Sequence, residues 1–64
     1  MTKSQSEALN RSVKGWERVK GKVTVLGEDS DNKIVCELET SSFVQKFLIG
    51  KRGSLKWLYK YNKV

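Results

Sequence analysis

The 64 residues of this chain are enough for one small domain, and they carry a formal net charge of +6. One cysteine and no histidine exclude an internal disulfide and a four-ligand structural zinc site, so an apolar core or a partner subunit must stabilise the fold. A membrane span needs about 20 apolar residues, and the apolar runs of this chain are far shorter. Residues 1–10 are polar, which predicts no export signal. With its single unpaired thiol, the sequence predicts a cytoplasmic protein that does not cross a membrane.

Acidic and basic residues are unevenly distributed along the chain. Residues 1–27 carry a net charge of +4, residues 28–39 carry −4, and residues 40–64 carry +6 with no acidic residue. Fields from like charges add over a Debye length of about 8 Å. The distribution predicts a basic surface for an anionic partner, and solvated surface charge without a partner is the alternative.

The first 15 residues predict a short helix or a disordered tail in front of a single β domain over residues 16–64. Ser4 and Glu7 have the spacing of a capping box, which would start a helix over residues 5–13. Gly15 would end that helix in a left-handed conformation. Because an isolated helix of this length is marginal in water, the tail stays an alternative.

Residues 16–26 predict the first strand. Gly21 near its middle predicts a bulge or bend, and the polar residues 27–32 predict a turn. A period of two places Val19, Val23 and Val25 on one face of this strand and Trp16, Arg18, Lys20, Lys22 and Thr24 on the other.

The next two apolar segments predict a second and a third strand. Over residues 33–40 the inward positions are Ile34, Cys36 and Leu38, so Cys36 is predicted to be a small core residue. Residues 43–49 suit a strand or a helix, since Phe43 and Phe47 are spaced for both. We favour a strand because the run is short and rich in aromatic residues.

Residues 54–61 show the clearest alternation in the chain and predict the last strand. The turn before it is Gly50–Gly53. The fold class is therefore mainly β, with four to five antiparallel strands in a small barrel or a bent sheet, similar in outline to SH3-like, OB-like and Sm-like barrels. Leu55, Trp57, Tyr59 and Tyr61 are predicted to face the core, and Lys56, Leu58 and Lys60 to face solvent.

The residue types predict a protein that is not an enzyme and that needs no cofactor or metal. Histidine, the commonest general base, is absent, and Cys36 has no histidine partner that would activate it. The acidic turn at residues 28–31 lacks the ligand ladder of a calcium loop. Glu37 and Glu39 share a strand face, which is typical of a solvated stripe rather than a catalytic pair.

Two basic elements, one at each end of the β domain, predict the binding site. In a closed barrel the first and last strands are neighbours, so the two elements would merge into one nucleic-acid-binding surface, whose residues are Trp16, Arg18, Lys20, Lys22, Lys51, Arg52, Lys56 and Lys60. Trp16 is predicted to stack on an unpaired base or, alternatively, to pack under the N-terminal helix. The predicted function is binding of RNA or DNA with low sequence specificity. The alternative is an interaction module that docks an acidic protein surface or self-associates.

Overall fold

The computed structural model describes residues 1–64 as one helix followed by an antiparallel sheet of four strands. The strands are neighbours in chain order, so β1 and β4 are the two edges and the sheet does not close. The predicted mainly β fold is confirmed, with the bent sheet rather than the barrel and with the N-terminal helix rather than the tail. The 15-residue helix lacks the length and the apolar character that a membrane-spanning helix needs. The elements are α1 (Lys3–Glu17), β1 (Lys22–Glu28), β2 (Ile34–Glu39), β3 (Phe43–Ile49) and β4 (Leu55–Asn62).

Helix α1 begins at a capping box two residues before the predicted one. The Thr2 hydroxyl accepts a hydrogen bond from the Gln5 backbone N–H at 3.1 Å, and Gln5 Oε1 accepts one from the Thr2 N–H at 2.8 Å. These two bonds satisfy two of the donors that a helix start leaves free. Ser4 and Glu7 therefore lie inside the helix rather than at its start.

The end of α1 is also later than predicted, because the chain passes through Gly15 in helical conformation. Lys20 has a positive φ of 59°, its N–H donates to Glu17 O at 3.1 Å, and the Gly21 N–H donates to Trp16 O at 2.8 Å. These bonds form a Schellman motif, which ends a helix in a left-handed residue. The first predicted strand therefore begins six residues too early.

Gly21 is a point of close approach rather than a bulge. A Cβ atom at this position would lie 3.0 Å from Trp16 Cβ and 3.1 Å from Leu38 Cδ1. Only glycine lets the chain pass this closely between the end of α1 and strand β2.

The core lies between α1 and one side of the sheet, which we call the helix face; the opposite side is the open face. Cys36 is fully buried as predicted, and burial raises the pKa of its thiol. The strand prediction for residues 43–49 is also confirmed. The buried apolar residues that form the central cluster are Ala8, Ile34, Cys36, Leu38, Phe47 and Ile49.

A β-bulge in the pairing of β3 with β4 divides the residues of β4 between the two faces. Trp57 lies opposite the core residue Phe47, whereas Tyr61 lies opposite Val44, which points the other way. The register shifts between these pairs, and one extra residue reverses the alternation of a strand. The predicted single aromatic face of β4 is therefore wrong: Trp57 is on the helix face, and Tyr61 is on the open face.

The aromatic residues of β4 are also not the core residues that the alternation predicts. Trp57 is 51% exposed, Tyr59 53% and Tyr61 54%. The reason is that α1 contacts mainly β1 and β3 and leaves the edge strand β4 uncovered on both faces.

Candidate nucleic-acid interface

A groove separates α1 from strand β4 on the helix face. It consists of two adjoining compartments of about 280 Å³ and about 220 Å³, and Trp16 and Trp57 line both of them. Both compartments are open to solvent and smaller than a typical enclosed small-molecule site of about 300–1,000 Å³. We call this the tryptophan groove and define it by Arg11, Trp16, Phe43, Trp57 and Lys60.

The groove exists because the side of α1 that faces β4 carries small side chains. Ala8, Ser12 and Gly15 line the larger compartment and recur at helical spacing. None of them is long enough to fill the space above the edge strand. The next residue, Trp16, is large and closes the far part of the groove.

Both tryptophan rings are held in place by phenylalanines. The centroid of Trp57 lies 5.2 Å from that of the fully buried Phe47, with the two rings tilted by 51°. Trp16 meets Phe43 edge-on, with centroids 6.4 Å apart and ring planes at 80°. Tilted and edge-on pairs are the favoured aromatic geometries, so each tryptophan ring packs against the protein through a phenylalanine.

Positive charge lies on both sides of the tryptophan pair. Arg11 lines the larger compartment and Lys60 the smaller one, where Lys60 Nζ lies 5.1 Å from the centroid of the Phe43 ring. No acidic residue lines either compartment. Gly53, which lines the Arg11 end, directly follows the exposed turn residues Lys51 and Arg52. The groove therefore presents aromatic surface inside a positive field.

The open face has a different electrostatic character because acids and bases alternate across its strands. Glu39 lies opposite Lys22 on β1, and Lys63 Nζ approaches its carboxylate to 2.7 Å. The hydrogen bond and the charge of Lys63 lower the pKa of Glu39, and Lys22 adds to this. Lys46 lies opposite Glu37, and the hydrogen bond with Tyr59 raises the pKa of Lys46. These carboxylates offset part of the positive charge of the open face, whereas no carboxylate lines the groove.

The structure does not bring the eight predicted site residues together. The predicted merger needed β1 beside β4, but these strands are opposite edges of an open sheet. Helix α1, about 22 Å long by its rise per residue, separates the turn that follows it from the β3–β4 turn. Trp16 and Lys60 line the groove, Lys51 and Arg52 lie in the turn at its Arg11 end, Arg18 and Lys20 lie in the turn after α1, and Lys22 and Lys56 point to the open face.

Trp16 belongs to neither of the two predicted settings. It lies in the last turn of α1 itself, half-buried, instead of on the first strand or underneath the helix. Residues 16–25 alternate well enough to predict a strand, although Trp16 also continues the helical spacing of Ala8 and Ser12.

Sequence reasoning missed Arg11, Phe43 and Trp57 as residues of the groove. The sequence does indicate a groove beside Arg11, because Arg11 precedes Ser12 on a helix whose small residues recur at helical spacing. For Trp57 the alternation indicated the helix face correctly. The sequence does not indicate which strands the helix covers. Alternation alone therefore predicts a core position for Trp57.

Comparisons with known proteins give no independent indication of function, so the proposal below depends on the geometry of the groove. No family model matches the chain, and neither a curated protein nor a solved structure shows a significant match to it.

Proposed function

We propose that this protein binds RNA or DNA without catalysis and with low sequence specificity. The observation that carries the proposal is the tryptophan groove, in which Trp16 and Trp57 lie between Arg11 and Lys60 with no acidic residue in the lining. Cationic side chains gain affinity for phosphates by releasing counterions. Aromatic rings stack on any base because every base has a π face.

Low sequence specificity follows from the shortage of hydrogen-bonding groups in the groove. Gln45, the one amide in the lining, already donates through Nε2 to Lys46 O at 2.8 Å and to Tyr59 O at 3.1 Å. Ser12 offers a single hydroxyl. Reading a base edge needs a positioned set of donors and acceptors, which this surface provides only sparsely.

The state of Cys36 supports a binding role instead of nucleophilic catalysis. The thiol is fully buried, and burial raises its pKa, which disfavours the reactive thiolate. The thiol is also free, which suits a reducing compartment. We therefore place the proposed activity in the cytoplasm.

A salt titration of binding to labelled single-stranded and double-stranded oligonucleotides tests the proposal. We expect log Kd to change steeply with log salt, with a slope of about 3 or more, because each phosphate contact contributes about 0.7–0.9. Replacement of Arg11 or Lys60 by glutamine should reduce the slope by about 0.7–0.9 each.

Lys46→Gln is the matched control, because it removes one positive charge from the open face, where Lys46 Nζ lies 5.5 Å from the centroid of the Tyr59 ring. It should leave the slope nearly unchanged. If neither the single-stranded nor the double-stranded oligonucleotide binds at about 50 mM salt, the proposed function is overturned. A slope that responds equally to Lys46→Gln and Lys60→Gln would show that the groove is not the site.

The second candidate function is an interaction module that pairs with another chain through its edge strand. The observation that favours it is the uncovered edge of β4, where Leu55, Trp57, Leu58, Tyr59 and Tyr61 are each more than 40% exposed. An exposed strand edge presents free backbone donors and acceptors for strand addition. The mass of the protein in solution separates self-association from the lead proposal.

A further inference from the structure

We infer that the tryptophan groove takes an unpaired base, so that the protein prefers single-stranded nucleic acid to duplex. This inference rests on the proposed function and names the class of ligand for the same site. The occupant is a short stretch of single strand whose base lies against Trp57 and whose flanking phosphates lie near Arg11 and Lys60.

Trp57 is the residue best placed to receive a base. The contact with Phe47 holds the ring on its core side, at a centroid distance of 5.2 Å, while half of the residue stays exposed and the side chain lines both compartments of the groove. A ring that is held on one side and free on the other loses little conformational entropy when a base stacks on it. Trp16 lines the opposite side of the same space, from the helix.

The order of groups along the groove suits a nucleic-acid strand, in which bases and phosphates alternate. The compartment with Arg11 and the compartment with Lys60 share the two tryptophans, so cation, aromatic pair and cation follow one another. Along β4, the distance from Leu55 to Lys60 is about 16 Å by strand rise. This length accommodates a base with a phosphate on each side.

A duplex cannot use the groove in the same way. In a duplex the faces of each base are stacked on neighbouring bases, so a base must be unstacked and unpaired before it can reach Trp57, at a cost of a few kcal/mol. A single strand avoids most of this cost. The phosphates of a duplex can still bind to basic residues outside the groove, which predicts weaker binding of duplex rather than none.

The tyrosines of β4 do not offer an equivalent platform, although they are equally exposed. Lys46 Nζ lies over the Tyr59 ring at 5.5 Å from its centroid and occupies one of its faces. Tyr61 lies opposite Val44 on the open face, where Glu39 and Glu37 offset part of the positive charge. Tyr61 is therefore a matched control for Trp57: an exposed aromatic residue of the same strand on the other face of the sheet.

The test compares three probes of equal length: a single strand, its duplex, and a single strand with abasic sugars in place of nucleotides. We expect the base-bearing single strand to bind about fivefold or more tighter than the abasic strand. Trp57→Leu keeps an apolar contact with Phe47 and should remove this difference with an unchanged salt slope. Tyr61→Leu should preserve it.

Fluorescence gives a second readout that does not depend on affinity. The chain has two tryptophans, so Trp16→Phe leaves Trp57 as the one indole fluorophore and keeps an aromatic contact with Phe43. The base-bearing strand should quench Trp57 fluorescence, and the abasic strand should not.

The outcomes separate the inference from the proposed function. Equal binding of base-bearing and abasic strands, with the same salt slope and no quenching, overturns the base-stacking inference while the proposed function stands. Absence of binding by all three probes overturns both.

Discussion

At the scale of the residue, Gln5 joins the helix to the sheet. The side chain is 2% exposed; Nε2 donates to Asn32 O at 2.7 Å and to Ile49 O at 3.2 Å, while Oε1 accepts from the Thr2 N–H. One amide thus satisfies the capping box and two carbonyls, one in the β1–β2 turn and one at the end of β3. This arrangement explains why the helix starts at Thr2, since a start at Ser4 would remove Gln5 from the cap.

We predict that Gln5→Glu destabilises the protein by about 2 kcal/mol or more in urea unfolding. The carboxylate keeps the shape of the side chain but cannot donate, so Asn32 O and Ile49 O lose their partner, and an unsatisfied buried group costs about 1–3 kcal/mol. Burying an additional negative charge near carbonyl oxygens adds to the cost.

Gln45→Glu is the matched control for this variant. The Gln45 amide also donates to two carbonyl oxygens, those of Lys46 and Tyr59, but it does so near solvent. Water can replace these bonds, so the loss in unfolding free energy should be much smaller than for Gln5→Glu. Equal losses would contradict the role that we assign to burial of Gln5.

At the scale of the element, strand β4 depends on its neighbour β3 and on a few contacts at its end. The Lys63 N–H donates to Ser42 O at 2.9 Å, and Lys63 Nζ lies 2.7 Å from Glu39 Oε2. The hydrogen bond and charge of Lys63 lower the pKa of Glu39 in the folded state. The pair therefore stabilises the folded chain only while Glu39 is ionised.

We predict that Glu39→Gln lowers stability slightly at pH 7 and that this difference disappears in acid. Because the folded-state pKa lies below the ordinary value of about 4.3, the contribution is fully present above that value and is lost as the pH falls through the lower folded-state pKa. Urea midpoints of both proteins measured across this pH range at low salt provide the test.

Glu37→Gln serves as the comparison, since Glu37 is on the same face of β2 but is not part of a salt bridge. Its stability should follow that of the parent protein more closely. A difference for Glu39→Gln that does not change with pH would contradict the assignment of the ion pair.

Local alternation predicts where a strand lies, whereas the start of β1 and the faces of β4 depend on tertiary contacts. Strand β2 was predicted nearly to the residue, because Ile34, Cys36 and Leu38 alternate without interruption. The start of β1 was wrong because helix and strand periods both fit residues 16–20, and tertiary contacts at Gly21 decided between them. The bulge in β4 could not be read from its side chains, since it depends on the pairing with β3.

At the scale of the whole molecule, the core is small, with 8 of 64 residues buried. The free energy of unfolding of a domain of this length is typically about 3–10 kcal/mol. Two open sheet edges and an exposed aromatic strand accompany this small core. An exposed strand of this kind can bind a ligand, and it can also pair with the same strand of another copy unless charged side chains prevent it.

We predict that the protein is a monomer, with a mass of 7.3 kDa by light scattering at low and at high salt. Each copy carries a charge of +6, strand β4 has no acidic residue, and Lys56 and Lys60 lie on this edge. Charged residues on an edge strand oppose edge-to-edge pairing.

A mass that increases with protein concentration would contradict this prediction and favour the second candidate function. In that case Leu58→Lys on β4 should restore the monomer, whereas Val25→Lys on the other edge strand should not. Association that responds equally to both variants would exclude β4 as the specific interface.

Several properties of this chain follow from its sequence: the net charge of +6, the mainly β fold class, the strands β2 to β4 and the buried Cys36. These follow from local periodicity and charge, which do not depend on distant contacts. The position of the groove depends on tertiary packing, because one short helix covers part of the sheet and leaves β4 open. Coverage by the helix and the register of β4 are properties of the packed chain, and they separate Trp57 on the groove from Tyr61 on the opposite face.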